Sequence, residues 1–430
     1  MEINVIGGGL AGCEAAWQIA ERNHQVTLYE MRPVQTTPAH CSDDLAELVC
    51  SNSLGSDQLA SAGGLLKAEL MKMNSFILAT AIACRVPAGG ALAVDRTQFS
   101  HMVTEKLLNH PRVTVIRQEV TTLPTGINLI AAGPLASSGI TSVLQELTNR
   151  DNLFFYDAAA PIITGESIDY DQGFWAARYN KGTADYFNCP MTKEQYETFY
   201  GELVKAEQAP LHEGVEDDLR VFEGCMPIEV MAARGLDTLR FGPLKPVGLV
   251  DQTGKRPYAV VQLRKENTTA SLLNLVGFQT RLKWGEQKRV FRLIPALSHA
   301  EFVRYGVMHR NTYINSPNVL HPTYQLVGNP NIFVAGQITG VEGYMESVSS
   351  GLLAGINICR MKDGQELITL PEITMMGALA QYISTASTRN FQPMNANFGI
   401  LPPLAERIRD KQQRKLAQAQ RSLDSFNDFL

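Results

Sequence analysis

The chain has 430 residues, 45% of them hydrophobic and 19% charged, with 34 Gly and 21 Pro. That is a globular composition with length for two or three domains, and it excludes collagen-like and low-complexity chains. Its 38 Lys and Arg against 43 Asp and Glu leave a net charge of −5, so any polyanion it binds must be met by a local basic patch rather than by global attraction.

Residues 3–6 (INVI) read as a short buried strand that begins directly after Glu2, which argues against a signal peptide. Gly7, Gly8, Gly9, Leu10, Ala11 and Gly12 follow and supply G-x-G-x-x-G at Gly7, Gly9 and Gly12. Cys13 to Arg22 reads as a helix, and Gln25 to Met31 as a second strand with Glu30 near its end. The parts fit one mechanism. Gly7 permits a tight turn, Gly9 lets the backbone approach a pyrophosphate, and Gly12 allows close helix–strand packing. The helix N-terminus offers free N–H groups and a favourable dipole, and Glu30 accepts from ribose hydroxyls. This unit alone leaves FAD and NAD both open.

Residues 127–133 (INLIAAG) resemble the strand that closes such a sheet. Thr192 to Ala206 reads as a helix opened by Thr, 211–219 as an acidic loop, and 258–263 and 272–278 as strands. Then a second glycine turn appears. An apolar strand at 331–335 leads into Gly336, Gln337, Gly340, Gly343 and Tyr344, followed by a small-residue helix from Glu346 to Ile358. Two such turns suit one long cofactor held at both ends, as FAD is in flavoproteins of the two-dinucleotide-binding type. The expected fold class is α/β. It has a Rossmann-like FAD-binding domain formed discontinuously by 1–185 and 300–430, and a smaller α+β domain inserted at 186–299.

Two stretches are locally basic. Arg281, Lys283, Lys288, Arg289 and Arg292 stand against Glu286 alone, and Arg407, Arg409, Lys411, Arg414 and Lys415 against Asp410 alone, the latter in an expected C-terminal helix. Either stretch suits RNA phosphates, and either suits a solvated helix face. The seven cysteines (Cys13, Cys41, Cys50, Cys84, Cys189, Cys225 and Cys359) are odd in number and contain no C-x-x-C pair. That points to a reducing, cytoplasmic setting without disulfides or a zinc site. Cys50, between an apolar run and a polar turn, and Cys225, in a Gly/Pro turn before an expected helix at 227–234, have the least ordinary settings.

Long blocks of the chain carry a resemblance. They include NVIGGGLAGCEAAWQIA (4–20), AELVCSNSLGS (46–56), FEGCMPIEVMAARG (222–235), VGFQTRLKWGEQ (276–287), RYGVMHRNTYINSP (304–317) and VAGQITGVEGYMES (334–347). On these the chain resembles the folate- and FAD-dependent tRNA (uracil-5-)-methyltransferases, the TrmFO family, formerly Gid. A related group, the GidA-type flavoproteins, is longer. The resemblance implies 5-methyluridine formation in the T-loop of tRNA. The carbon comes from 5,10-methylenetetrahydrofolate, with FAD as cofactor and NAD(P)H as reductant. It implies Cys225 as the nucleophile at uracil C6 and Cys50 as a second functional thiol, assignments that are interchangeable at this stage. Tyr344 would stack on flavin or pterin or serve as a core tyrosine, Glu342 and Glu346 are weaker base candidates, and His309 and Arg310 would face cofactor or RNA or else hold their loop in a structural role. The two basic stretches become the expected RNA surface. The same motifs would serve methylation of ribosomal RNA, and a small-molecule flavin oxidoreductase is the alternative of a different class. No metal, membrane or obligate protein partner is expected.

Overall fold

The computed structural model describes residues 1–37, 39–148, 153–158, 160–180, 182–209, 226–251, 253–265, 269–306, 308–388 and 391–426; 153–158, 180 and 308–310 are described by backbone alone. Two sheets organise the chain. The first has six strands in the order 325–326, Asn329–Val334, Ile127–Ile130, Ile3–Ile6, Val26–Glu30, Val113–Arg117. All neighbours pair in parallel except the first pair, which is an antiparallel edge. Ile3–Ile6 and Ile127–Ile130 are buried at every residue, as a parallel sheet covered on both faces requires. Helix Leu10–Glu21 packs along helix Tyr344–Lys362 over this sheet. Strand order reverses between Ile3–Ile6 and Ile127–Ile130, so their carboxyl ends form the crevice where such sheets bind ligands.

The second sheet is antiparallel throughout, in the order Phe174–Ala176, Tyr186–Met191, Ala259–Lys265, Leu272–Leu275, Ile162–Thr164, Phe302–Arg304. Helices Lys193–Lys205, Ile228–Ala232 and Trp284–Phe291 cover it and share its own core, which includes Phe187, Tyr196, Phe199, Phe278 and Phe291. The described residues of 186–299 include three of its six strands and these helices. The sheet itself reaches from 162 to 304, because Ile163 pairs with both Leu273 and Phe302. Three-residue strands leave too short a pattern to read without their partners.

Local chemistry accounts for the element ends. Thr192 caps its helix with a reciprocal capping box to Gln195. The first helix starts at Leu10 rather than Cys13, so part of the glycine motif is already helical. The strand expected at 272–278 stops at Leu275, before Gly277 turns the chain at φ 78°. The C-terminal helix is Lys411–Ser425 and opens at Asp410, whose carboxylate accepts from Gln413 N at 2.7 Å. Arg407 and Arg409 therefore precede the helix instead of lying on it. The acidic loop expected at 211–219 lies outside the described residues. No helix among the described residues is long and apolar enough to cross a membrane.

Candidate cofactor groove and thiol segment

The groove sits at the carboxyl ends of the central strands. Gly7–Ala11, Glu30, Arg32, His40, Glu47, Val49, Gln118–Val120, Ala131–Ser137, Gly336, Gln337, Tyr344 and Ser347 are among its lining residues. Its empty volume is about 1000 Å³, open solvent at its mouth included. Within the motif the glycines divide their work. A Cβ on Gly12 would lie 1.9 Å from the Gly7 carbonyl oxygen, so helix and turn touch only because that atom is missing. A Cβ on Gly9 would meet nothing within 4 Å, so Gly9 faces open groove. Gly12 is outside the lining and acts in packing.

Glu30 closes one wall. Its Oε2 accepts from Gly8 N at 2.8 Å, and its Oε1 accepts from Arg32 N at 3.0 Å and Arg32 Nε at 2.9 Å. Burial pushes its pKa up. The Arg32 charge and these hydrogen bonds outweigh burial, and the carboxyl is held below its ordinary value and stays ionised. Of roughly four acceptor sites on a carboxylate, these bonds use three. Arg32, almost wholly buried, also donates to Glu47 Oε2 and Ser42 O, both at 3.0 Å. Glu47 in turn accepts from Cys41 N and Ser42 N. This chain of charges orders the segment that leads to Cys50. Within it His40 lines the groove; burial, then the Arg32 charge, lowers its pKa to about 4.

The second glycine turn meets the same groove. Gly336 and Gln337 line it, with Gly336 N donating to Ser350 Oγ at 2.7 Å and Gln337 Nε2 to Glu342 Oε1 at 2.7 Å. Gly340 and Gly343 stand outside the lining. At Gly340 a Cβ would fall 2.5 Å from the Phe391 ring. Tyr344, the first residue of its helix, reaches across. Its phenol oxygen accepts from Cys50 N at 2.8 Å and Ser51 N at 3.2 Å. Burial first, and the Cys50 thiol second, push the phenol well above its ordinary pKa, so it remains protonated. Glu346 accepts from Ala396 N at 2.9 Å, and burial raises its pKa.

Three arginines converge on the Cys50 segment from three separate elements. Arg96 donates to Leu48 O at 2.8 Å, Arg304 to Val49 O at 2.5 Å, and Arg264 to Ser51 Oγ at 2.6 Å and Asn52 Oδ1 at 3.0 Å. None of these acceptors carries a charge. Asn52 also ties the two layers together, donating to Val94 O and to Lys265 O, each at 3.0 Å. No motif in the sequence reveals this arginine cluster. The one available signal is that all three fall inside blocks of the same resemblance: Arg96 ends VPAGGALAVDR (86–96), Arg264 ends RPYAVVQLR (256–264) and Arg304 opens RYGVMHRNTYINSP (304–317).

Cys50 is half-buried. Cys225 lies outside the described residues, as do the side chains of His309 and Arg310. Cys13, Cys84, Cys189 and Cys359 are buried, and burial raises each thiol pKa. The basic stretches are exposed but partly engaged. Lys283 pairs with Glu207 at 2.6 Å, Arg289 with Glu202 and Glu286, and Lys415 lies over the Phe398 ring at 5.6 Å. Arg281 is half-buried, whereas Lys288, Lys411 and Arg414 are exposed. Among the described residues no group of His, Cys, Asp and Glu could hold a metal ion.

FAD fits the groove. The first-turn N–H groups after Gly9 have no intrahelical acceptor, as at any helix start. The space beside Gly9 is open, and Glu30 is ionised with an acceptor site remaining. The model of the family described as "Glucose inhibited division protein A" matches residues 2–366. A curated relative in Halalkalibacterium halodurans, "Methylenetetrahydrofolate--tRNA-(uracil-5-)-methyltransferase TrmFO", is 57% identical over 100% of this chain and 98% of its own length. The relative of that name in Anoxybacillus flavithermus is 56% identical, covering 100% and 99%. Among solved structures, Aquifex aeolicus GidA superposes with a TM-score of 0.67 over 99% of this chain and 75% of its own, at 15% identity. That likeness shows a shared fold, and 56–57% identity over the full length carries more: the chain belongs to the TrmFO family, within the broader GidA group.

Proposed function

We propose that this chain forms 5-methyluridine in the T-loop of tRNA, using 5,10-methylenetetrahydrofolate as carbon donor, in the cytoplasm. The observation that carries this reading is the 57% identity over the whole chain with a relative bearing that enzyme name. Uracil C5 is a poor nucleophile. The Cys225 thiolate adds to C6, which makes C5 enolate-like, and C5 then forms a bond to the methylene-level carbon. Loss of the C5 proton expels the amine that carried the methylene and leaves an exocyclic methylene on C5; a hydride equivalent added to that carbon completes the methyl group, and the electron pair it displaces restores the C5–C6 double bond as the thiolate departs. Gly7–Ala11, Glu30, Gly336 and Gln337 would hold FAD, which supplies the redox chemistry when bound, with NAD(P)H as the electron source.

The chain's own residues position. Tyr344 holds the Cys50 backbone beside the groove, which supports Cys50 as a thiol that serves proton transfer close to the reacting uracil. Arg264 and Arg304 hold the flanking residues through neutral acceptors, so their charge is available to the anionic form of the base or to phosphate. Lys283, Lys288, Lys411, Arg414 and Lys415, with Arg281 and Arg289, supply the RNA surface in this reading. The target uridine must leave its stack, at a cost of a few kcal/mol met by contacts along the RNA.

The test is nucleoside mass spectrometry. Unmodified tRNA transcript is incubated with the protein, FAD, NAD(P)H and methylenetetrahydrofolate, with S-adenosylmethionine excluded. Folate-dependent 5-methyluridine at the T-loop is the expected product. Cys225→Ala should abolish it while NAD(P)H still reduces the flavin. A protein that oxidises NAD(P)H but yields no methyluridine overturns the reading.

A further inference from the structure

A ladder of aromatic rings runs from the core of the second layer to its surface. Phe278 meets Phe291 at 5.1 Å between ring centroids, and Phe291 meets Phe302 at 6.4 Å. The last three rings are nearly coplanar in orientation. Phe302 and Tyr305 are 5.3 Å apart at 9°, and Tyr305 and Trp284 are 5.5 Å apart at 10°. Phe278 and Phe291 are fully buried, Phe302 and Tyr305 half-buried, and Trp284 is 65% exposed. A rigid stack therefore ends in an indole presented to water. What sets Trp284 apart from a singly exposed aromatic such as Phe241 is the parallel stack behind it, which holds the indole face in one orientation toward solvent.

The surroundings narrow the occupant. Lys283 precedes Trp284, and Lys288 lies one turn further along the helix Trp284–Phe291, both exposed. The ion pairs of Lys283 with Glu207 and of Arg289 with Glu202 and Glu286 are also exposed, and such pairs exchange readily for phosphate. Parallel rings continued by cations suit a flat heteroaromatic ring with an anionic backbone. None of the three outer rings lines the cofactor groove. Yet they are fixed relative to it, since Arg304, the residue before Tyr305, holds Val49 O next to Cys50.

We propose that Trp284, backed by Tyr305 and Phe302, is the platform on which a nucleobase neighbouring the target uridine stacks once that uridine is extruded. The inference rests on the tRNA reading above and adds to it a recognition element for the unpaired strand. Extrusion leaves a neighbouring base without its stacking partner, and an indole face replaces that partner without regard to base identity.

The test compares wild type, Trp284→Ala and Trp284→Phe, using unmodified tRNA transcript in filter binding and steady-state methylation. Trp284→Ala should raise Kd and KM for tRNA by roughly 5- to 150-fold. The KM for methylenetetrahydrofolate and the flavin content should not change. Trp284→Phe should restore most of the affinity. Unchanged tRNA binding by Trp284→Ala overturns the platform. A rise in the folate KM alone overturns it in favour of a pterin site. Loss of flavin or of thermal stability in both variants overturns it in favour of a structural role. A wild-type protein that neither binds nor methylates tRNA removes the function reading and the platform with it, whereas a methylating Trp284→Ala with unaltered KM removes the platform alone.

Discussion

Replacing Tyr344 by Phe removes one oxygen and keeps the ring. That oxygen accepts from Cys50 N at 2.8 Å and Ser51 N at 3.2 Å. A buried donor left without an acceptor costs about 1–3 kcal/mol. Cys50 and Ser51 are half-buried, so water recovers part of this, and about 1 kcal/mol of stability should be lost. In a chain this long that lowers Tm by no more than about 2 °C. Activity should suffer far more than stability, because the lost bonds join the thiol segment to the cofactor turn. Misplacing a reacting group by about 1 Å costs as much as ~100-fold in rate, so kcat for methylation should fall between about 10- and 100-fold. Flavin content and NAD(P)H oxidation should stay at wild-type levels, since the ring still lines the groove. The assay pairs methyluridine formation with flavin reduction on one preparation. A Tyr344→Phe enzyme that methylates at the wild-type rate refutes the claim that this hydroxyl positions Cys50.

Two further outcomes follow from the groove. Gly12→Ala would place a Cβ 1.9 Å from the Gly7 carbonyl; overpacking against backbone costs about 3 kcal/mol or more, so the purified variant should melt earlier and lack visible flavin absorbance, and a yellow, stable Gly12→Ala protein would contradict the packing described. His40 is half-buried with its pKa lowered to about 4, so below its ordinary value near 6.5 the unfolded chain takes up a proton that the folded chain refuses. Stability should therefore fall as pH drops from about 6.5 to about 4, by up to about 3 kcal/mol, and His40→Gln should flatten that part of the Tm–pH curve.

Gly7, Gly9, Gly12 and Glu30 announce a dinucleotide turn because the requirement is local: a missing Cβ and an acid at a set spacing along strand, turn and helix. Thr192 announces its helix for the same reason, since its capping partner is three residues away. The short strands Ile162–Thr164, Phe174–Ala176 and Phe302–Arg304 announce nothing, because each exists only through hydrogen bonds to strands distant in the chain. The basic stretch at 281–292 reads as a uniform patch, but the acids that temper it, Glu202 and Glu207, come from another helix and its C-terminal flank.

The Rossmann-like layer, the two glycine turns and the family were legible in the amino-acid chain. Those features depend on residue type at short range, or on long blocks read in order. Folding alone brings Arg96, Arg304 and Arg264 to the residues flanking Cys50, gives the Tyr344 hydroxyl to the backbone of the thiol segment, and sets Trp284 at the end of a stack rising from the core. Each of these joins residues far apart in the chain, and a hydrogen bond or a ring contact is set by separation in space, which no local pattern encodes.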